Sequence, residues 1–338
     1  MKKVIQRQID HHFHGVAPGF LQVGTTIGFD CYVKRFNGYV IIIPAGTEIT
    51  DALLRKLSNH SRIYIEHSQK EAFQRYKTEH AVEAAAEAFV LPQPETGIAE
   101  LEAALKKVRD PEARIAMLYR TGTAFMERLF GLKDEDGFPM SEILGFGRLM
   151  VDIVAVERYR FLTFLGQMSE EYSEAHHSMN VSLLSLILAK ALNMSRRELE
   201  EIAVAAFLHD IGKRRVAPAI LDKNDKLDDK EYAAAKEHVK FSVEALTHEP
   251  FMTPQMLSAV RYHHERLDGS GYPNRLVGNQ IPVMAQIIAL CDIFDALTTD
   301  RSYRGRYSSF EALRLMKGEM SRQINVEYVD HLIRLLGK

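Results

Sequence analysis

An apolar helical run that ends in a charged pair constrains this chain more than any other feature. Leu199, Ile202, Ala203 and Ala206 recur at helical spacing and lead through Phe207-Leu208 to His209-Asp210, with Gly212 close behind. The pair therefore lies at the inner end of a buried helix, where polar groups are costly unless they have partners. Neighbouring signals agree on helices. Val181, Leu184, Leu188 and Leu192 form one stripe, Asn193 suits a left-handed stop, and Ser195-Arg196-Arg197-Glu198 fits a capping box.

The start of the chain reads differently. Within 1–75, glycines separate short β-rich runs at Leu21–Val23, Cys31–Val33, Tyr39–Ile43 and Ile63–Ile65, Asn37-Gly38 signals a hairpin, and Thr50–Asn59 reads as an amphipathic helix. The expectation is a small α+β module over 1–75, a helical connector over 76–140, and an all-helical domain over 141–338, mainly α as a whole. Within the connector Ala81–Phe89 is alanine-rich, Pro92 and Pro94 break it, and Asp110-Pro111 opens a new helix. Ser141–Phe164 carries a helical apolar period.

Several classes are excluded at this level. Of 338 residues, 46% are hydrophobic and 26% charged, which is enough apolar material for a core and rules out a disordered chain. Net charge is −2, so the chain is not built to bind nucleic-acid polymers in bulk. No run approaches the roughly 18 apolar residues of a membrane span, and the start Met1-Lys2-Lys3-Val4 turns polar at once, unlike a signal peptide. Cys31 and Cys291 cannot make a disulfide framework and fit a reducing compartment, so the expectation is a cytoplasmic protein.

The chemistry lies in histidines and carboxylates set in apolar helical surroundings: His177, His209-Asp210, His238, His263-His264, and Asp292 after Ile287–Cys291. Any one of these reads most simply as a core or surface residue, and the argument rests on the set. Nitrogen and oxygen ligands without thiolates suit iron, manganese or zinc. More than four ligands imply more than one ion, which a carboxylate such as Asp210 can bridge, and such a pair can activate a hydroxide against a phosphodiester. His11, His12 and His14 read as a solvated surface cluster.

His209-Asp210-Ile211-Gly212-Lys213, followed by His263-His264-Glu265-Arg266-Leu267-Asp268-Gly269-Ser270-Gly271-Tyr272-Pro273, resembles the HD-GYP family of cyclic di-GMP phosphodiesterases. The likeness continues through Cys291-Asp292-Ile293-Phe294-Asp295-Ala296-Leu297-Thr298 and Asp300-Arg301-Ser302-Tyr303-Arg304, and spans roughly Ser169 to Leu315. It implies an all-helical catalytic domain binding two divalent ions, iron or manganese. The implied ligands are His177, His209, Asp210 as bridge, His238, His263, His264 and Asp292. The adjacent His176 is the competing first ligand, and it points about 100° around the helix from His177. By the same likeness Lys213 approaches the substrate phosphate, Arg301 and Arg304 contact the nucleotide, and Tyr272 shapes the substrate loop. On spacing alone Arg301 and Arg304 read as a solvated face.

The implied reaction is hydrolysis of cyclic di-GMP to linear pGpG, or onward to GMP, by a metal-bridged hydroxide. Alternatives are the same chemistry on another cyclic dinucleotide, or a weakly catalytic sensor signalling through the N-terminal module. Implied partners are the cyclic dinucleotide, a second copy of the chain, and a diguanylate cyclase or other signalling protein at the Gly-Tyr-Pro loop. The sequence departs from the family pattern at Val239 and Ser242, where proline and glycine are usual, and at Ile324-Asn325-Val326-Glu327. Some members hold a third metal through a glutamate four residues before the first histidine, where this chain has Ser173. Asp295 and Asp300 read as site support or helix caps.

Overall fold

Segments with a period of two and segments with a helical period separate along the sequence, and they fall in separate compact units. The computed structural model describes residues 13–16, 21–35, 38–50, 52–53, 63–79, 97–133, 136–167, 173–221, 223, 225–299 and 307–337. The chain divides into two compact units, 1–90 with 167–169, and 91–166 with 170–338.

The first unit holds β1 (Phe13–Val16), β2 (Cys31–Arg35), β3 (Gly38–Ile43), β4 (Ile63–Glu66) and α1 (Lys70–Glu79). The strands form one antiparallel sheet in the order β1-β4-β2-β3. Alternation sets the buried face, so Ile63 and Ile65 join Phe29, Ile43, Phe73 and Tyr76 in the core. The hairpin forms where Asn37-Gly38 signals it, but Gly38 pairs with Arg35 inside the strand. β1 escapes the sequence reading because its order comes from pairing with β4, Val16 opposite Ile63. Leu21–Val23 is not a strand. Gly24 follows at φ 84° and turns the chain there, its N–H donating to Ile49 O. The helix expected over Thr50–Asn59 lies mostly outside the described residues, as do residues 80–96 and His11 and His12.

The second unit is helical: α2 (Ile98–Lys107), α3 (Pro111–Phe130), α4 (Met140–Gln167), α5 (Glu174–Ala191), α6 (Arg196–Leu208), α7 (Asp229–Leu246), α8 (Pro254–Tyr262), α9 (Val283–Thr298), α10 (Ser309–Gly318) and α11 (Val326–Leu336). Local signals set the boundaries. Asp110 accepts from Ala113 N–H, with Pro111 in the first turn of α3. Asn193 ends α5 at φ 58°, and Met194 N–H donates back to Ala189 O. Ser195 and Glu198 then make a reciprocal capping box on α6.

The single stripe read on α5 understates its burial. Ser178, Ser182 and Ser185 are buried along with the leucines, because α3, α6 and α9 all pack against this helix. Ser182 offsets its burial by donating to Ala203 O on α6 at 2.8 Å. Helix α3, in the stretch read as connector, thus belongs to the second unit and packs on α5. Among the described residues no helix is long and apolar enough to cross a membrane. Both cysteines are buried and unpaired, and burial pushes each thiol up to about 12.

Candidate metal centre

Helix ends build this site. The last carbonyls of a helix have no partner within it. At the end of α6 the His209 ring donates from Nδ1 to Ala206 O at 2.7 Å, and at the end of α8 His263 donates to Val260 O at 2.7 Å. Within α7, His238 donates in the same way to Ala235 O at 2.6 Å. A carbonyl only accepts, so each Nδ1 carries the proton and each Nε2 is left with its lone pair facing inward. His177, in the first turns of α5, uses a carboxylate instead. Its Nδ1 donates to Asp295 Oδ2 on α9 at 2.7 Å.

These rings converge on Asp210. Its Oδ2 lies 3.2 Å from His209 Nε2 and 3.5 Å from His177 Nε2, and its Oδ1 lies 3.1 Å from His238 Nε2 and 3.6 Å from His263 Nε2. Asp292 reaches across, with Oδ1 3.2 Å from His177 Nε2 and Oδ2 3.8 Å from His264 Nδ1. His264 Nε2 stands 3.1 Å from His238 Nε2. Two groups have ligand atoms within 4.8 Å of one another, His177-His209-Asp210 and Asp210-His238-His263-His264, and Asp210 belongs to both.

The donor set fits divalent ions. His209 Nε2, Asp210 Oδ1 and His263 Nε2 are buried, and among the described residues none has a hydrogen-bond partner despite these close approaches. Buried polar atoms are rarely left so, and lone pairs facing one another at such distances lack only a shared cation. Protonation agrees. Burial opposes ionisation of Asp210, but the adjacent His209, the Lys213 ammonium and His238 outweigh it and hold the carboxyl well below its usual range. Burial likewise opposes ionisation of Asp292, and His177, His264 and His209 hold it well below. Burial and the neighbouring His263 push His264 well below the usual imidazole range, which favours the neutral ring. Ionised carboxylates and neutral rings are the forms that bind metals.

Other residues singled out in the sequence fall around this cluster. Lys213 Nζ lies 2.7 Å from Asp210 Oδ2 and 2.7 Å from Glu174 Oε2. The Tyr272 ring stacks on His264 with centroids 4.7 Å apart. Burial first, then Asp210 and Asp292, push the Tyr272 phenol up, so it stays neutral. Ser173 caps α5, accepting from His176 N–H and touching His176 Nδ1 at 2.7 Å, which takes His176 out of the cluster. Arg301 and Arg304 lie outside the described residues.

Three further residues hold the site in place. Asp295, one of the two aspartates read as site support or helix caps, orients His177. Glu265, 2% exposed, accepts from Asn274 N–H at 2.7 Å and Leu276 N–H at 3.0 Å, pinning the loop that carries Tyr272. Ser242 accepts from Gly212 N–H at 2.8 Å, so its hydroxyl ties α7 to the turn after Asp210.

The family described as HD domain matches residues 162–326. The motifs from His209-Asp210 to the Gly-Tyr-Pro loop, with His177 before them and Asp292 after, fall within that match and supply this cluster. Residues 162–326 are an HD domain. Over 164 residues the chain is 38% identical to the 3'3'-cGAMP-specific phosphodiesterase 3 of Vibrio cholerae, covering 48% of this chain and 35% of that protein. Over 148 residues it is 36% identical to a cyclic di-GMP phosphodiesterase of Pseudomonas aeruginosa, covering 44% and 36%. The chain thus spans about a third of the length of these two relatives. A solved HDG"Y"P protein from Bdellovibrio bacteriovorus shares the fold, with a TM-score of 0.60 at 16% identity, covering 96% of this chain and 100% of that one.

Proposed function

We propose that this chain is a metal-dependent phosphodiesterase of the HD-GYP type that opens cyclic di-GMP to linear pGpG. The sharing of Asp210 between two ligand groups carries the reading, since it suits a pair of ions rather than one. When bound, two divalent ions supply an acidified water and polarise the phosphoryl oxygens of a phosphodiester. The chain's own residues do the rest. His177, His209 and Asp210 hold one position, and Asp210, His238, His263 and His264 hold the other, with Asp292 reaching both groups. Lys213, held at Asp210 Oδ2, brings a cation to where charge develops on the phosphate. Tyr272 offers a neutral phenol and a ring face beside His264 for the ligand. Arg301 and Arg304 are assigned to the nucleotide, where guanidinium pairs suit phosphate and guanine edges.

The first unit carries none of these ligands, and we assign 1–75 a regulatory or dimerisation role. The two unpaired cysteines accord with a cytoplasmic enzyme. The test is turnover by anaerobically purified protein loaded with manganese or iron. Cyclic di-GMP and 3'3'-cGAMP are offered separately and the products separated by chromatography. Linear pGpG formed faster than any product of 3'3'-cGAMP is the expected result. Binding of either dinucleotide without turnover would point to the sensor instead.

The site is expected to hold two ions, not three. A third would need a further anionic side chain near His177. Ser173 Oγ is committed to capping α5, and the Glu174 carboxylate is committed to Lys213. Elemental analysis and anomalous scattering of metal-replete crystals should find two ions per chain, and three well-occupied sites without substrate would refute this.

A further inference from the structure

A side chain outside residues 162–326 is tied to the candidate metal centre by an unbroken run of hydrogen bonds. Tyr119, on α3 and 1% exposed, donates its phenol to Asn180 Oδ1 at 2.7 Å. Asn180 Nδ2 donates to Asp295 Oδ1 at 2.8 Å, and Asp295 Oδ2 accepts from His177 Nδ1 at 2.7 Å. We propose that Tyr119 is a positioning residue for the metal centre, through which α3 sets affinity for the ion held by His177.

The chemistry of the groups fixes the direction of every link. A carboxylate only accepts, so Asn180 must turn its amide nitrogen to Asp295. That leaves Oδ1 facing Tyr119, which must donate. The phenol thereby locks the amide against a flip that would set Oδ1 against the Asp295 carboxylate. Asp295, with both oxygens engaged, fixes the His177 ring and keeps the proton on Nδ1, so Nε2 presents its lone pair to Asp210 and Asp292. Helical spacing makes the arrangement possible. Asn180 stands three residues after His177 on α5, so both meet Asp295 on α9. The Tyr119 ring has a packing role too, edge-on to Phe164 at 5.2 Å, and the test must separate the two.

Tyr119→Phe keeps the ring and deletes only the donor. Thr123→Val, one turn along the same helix, deletes another buried hydroxyl, which bonds to Tyr119 O and not to the site. Metal-free full-length protein of each kind is titrated calorimetrically with manganese, and melting is followed in parallel without metal. Outer-shell partners of metal-binding histidines typically change affinity by about 10- to 100-fold. Tyr119 acts two links further out, so Tyr119→Phe is expected to weaken one of the two ions by about three- to tenfold. The other ion should bind as in wild type, raised manganese should restore kcat, and Thr123→Val should bind both ions normally. Unchanged affinities in Tyr119→Phe would overturn the proposal. So would equal weakening of both ions, or a matching loss in Thr123→Val. The inference rests on the metal reading of the site, and failure of the wild-type protein to bind manganese would sink that reading itself.

Discussion

Asp210→Asn is expected to abolish phosphodiester hydrolysis and to strip both ions from the protein. The side chain keeps its size, so the 2%-exposed site does not become a cavity, but the charge goes. In the native site the two oxygens of Asp210 serve different groups, Oδ2 near His177 and His209, Oδ1 near His238 and His263. An amide offers one neutral oxygen, and its nitrogen would point a donor at ring nitrogens or at Lys213 Nζ. Outer-shell substitutions alone cost about 10- to 100-fold in metal affinity, so losing the shared inner ligand should exceed that for both ions. His264→Ala makes the contrast, because His264 belongs to one group only and its loss should weaken one ion. Elemental analysis after gel filtration, beside turnover of cyclic di-GMP, reads both effects. Two ions retained by Asp210→Asn with near-native turnover would remove Asp210 from the bridging role.

The ligand set was legible because each member sits where a polar residue is out of place. His209-Asp210 ends an apolar helix, and Asp292 follows five apolar residues on a helix buried nearly all round. Hydropathy exposes such residues without any knowledge of what they face. Which ligand each supporting residue holds leaves no such trace. Asp295 meets His177 across 118 positions, and Tyr119 meets Asn180 across 61, so their roles exist only once α3, α5 and α9 are packed. Burial on α5 shows the same limit. A stripe marks the face turned to one neighbour, whereas three neighbours bury the serines between the leucines as well. In the first unit, β1 is only four residues long and finds its order in β4, so no local pattern announces it.

Gly212 shows how a residue read from the sequence as part of a motif acts through packing, and Gly212→Ala is expected to damage both stability and metal binding. Its backbone φ is not in the left-handed region, so conformational freedom is not what the position demands. Space is. A Cβ built there would lie 2.1 Å from His238 O and 2.3 Å from Ser242 N, both backbone atoms of α7. Backbone cannot swing aside as a side chain can, so the turn after Asp210 and helix α7 would have to part. That shift would pull His209 and Asp210 on one side away from His238 on the other, and would break the bond from Gly212 N–H to Ser242 Oγ. Overpacking of this kind costs about 1–3 kcal/mol and at times more. With a fall of about 2–4 °C per kcal/mol for a domain of this size, melting should drop by roughly 2–12 °C. Ser242→Ala separates the two contributions, because it removes the hydrogen bond and leaves the spacing intact. It should lower the melting temperature less than Gly212→Ala and leave two ions bound, whereas Gly212→Ala should lose the ion held by His238. A melting temperature and a metal content both unchanged in Gly212→Ala would mean that the turn and α7 do not approach as closely as 2.1 Å implies.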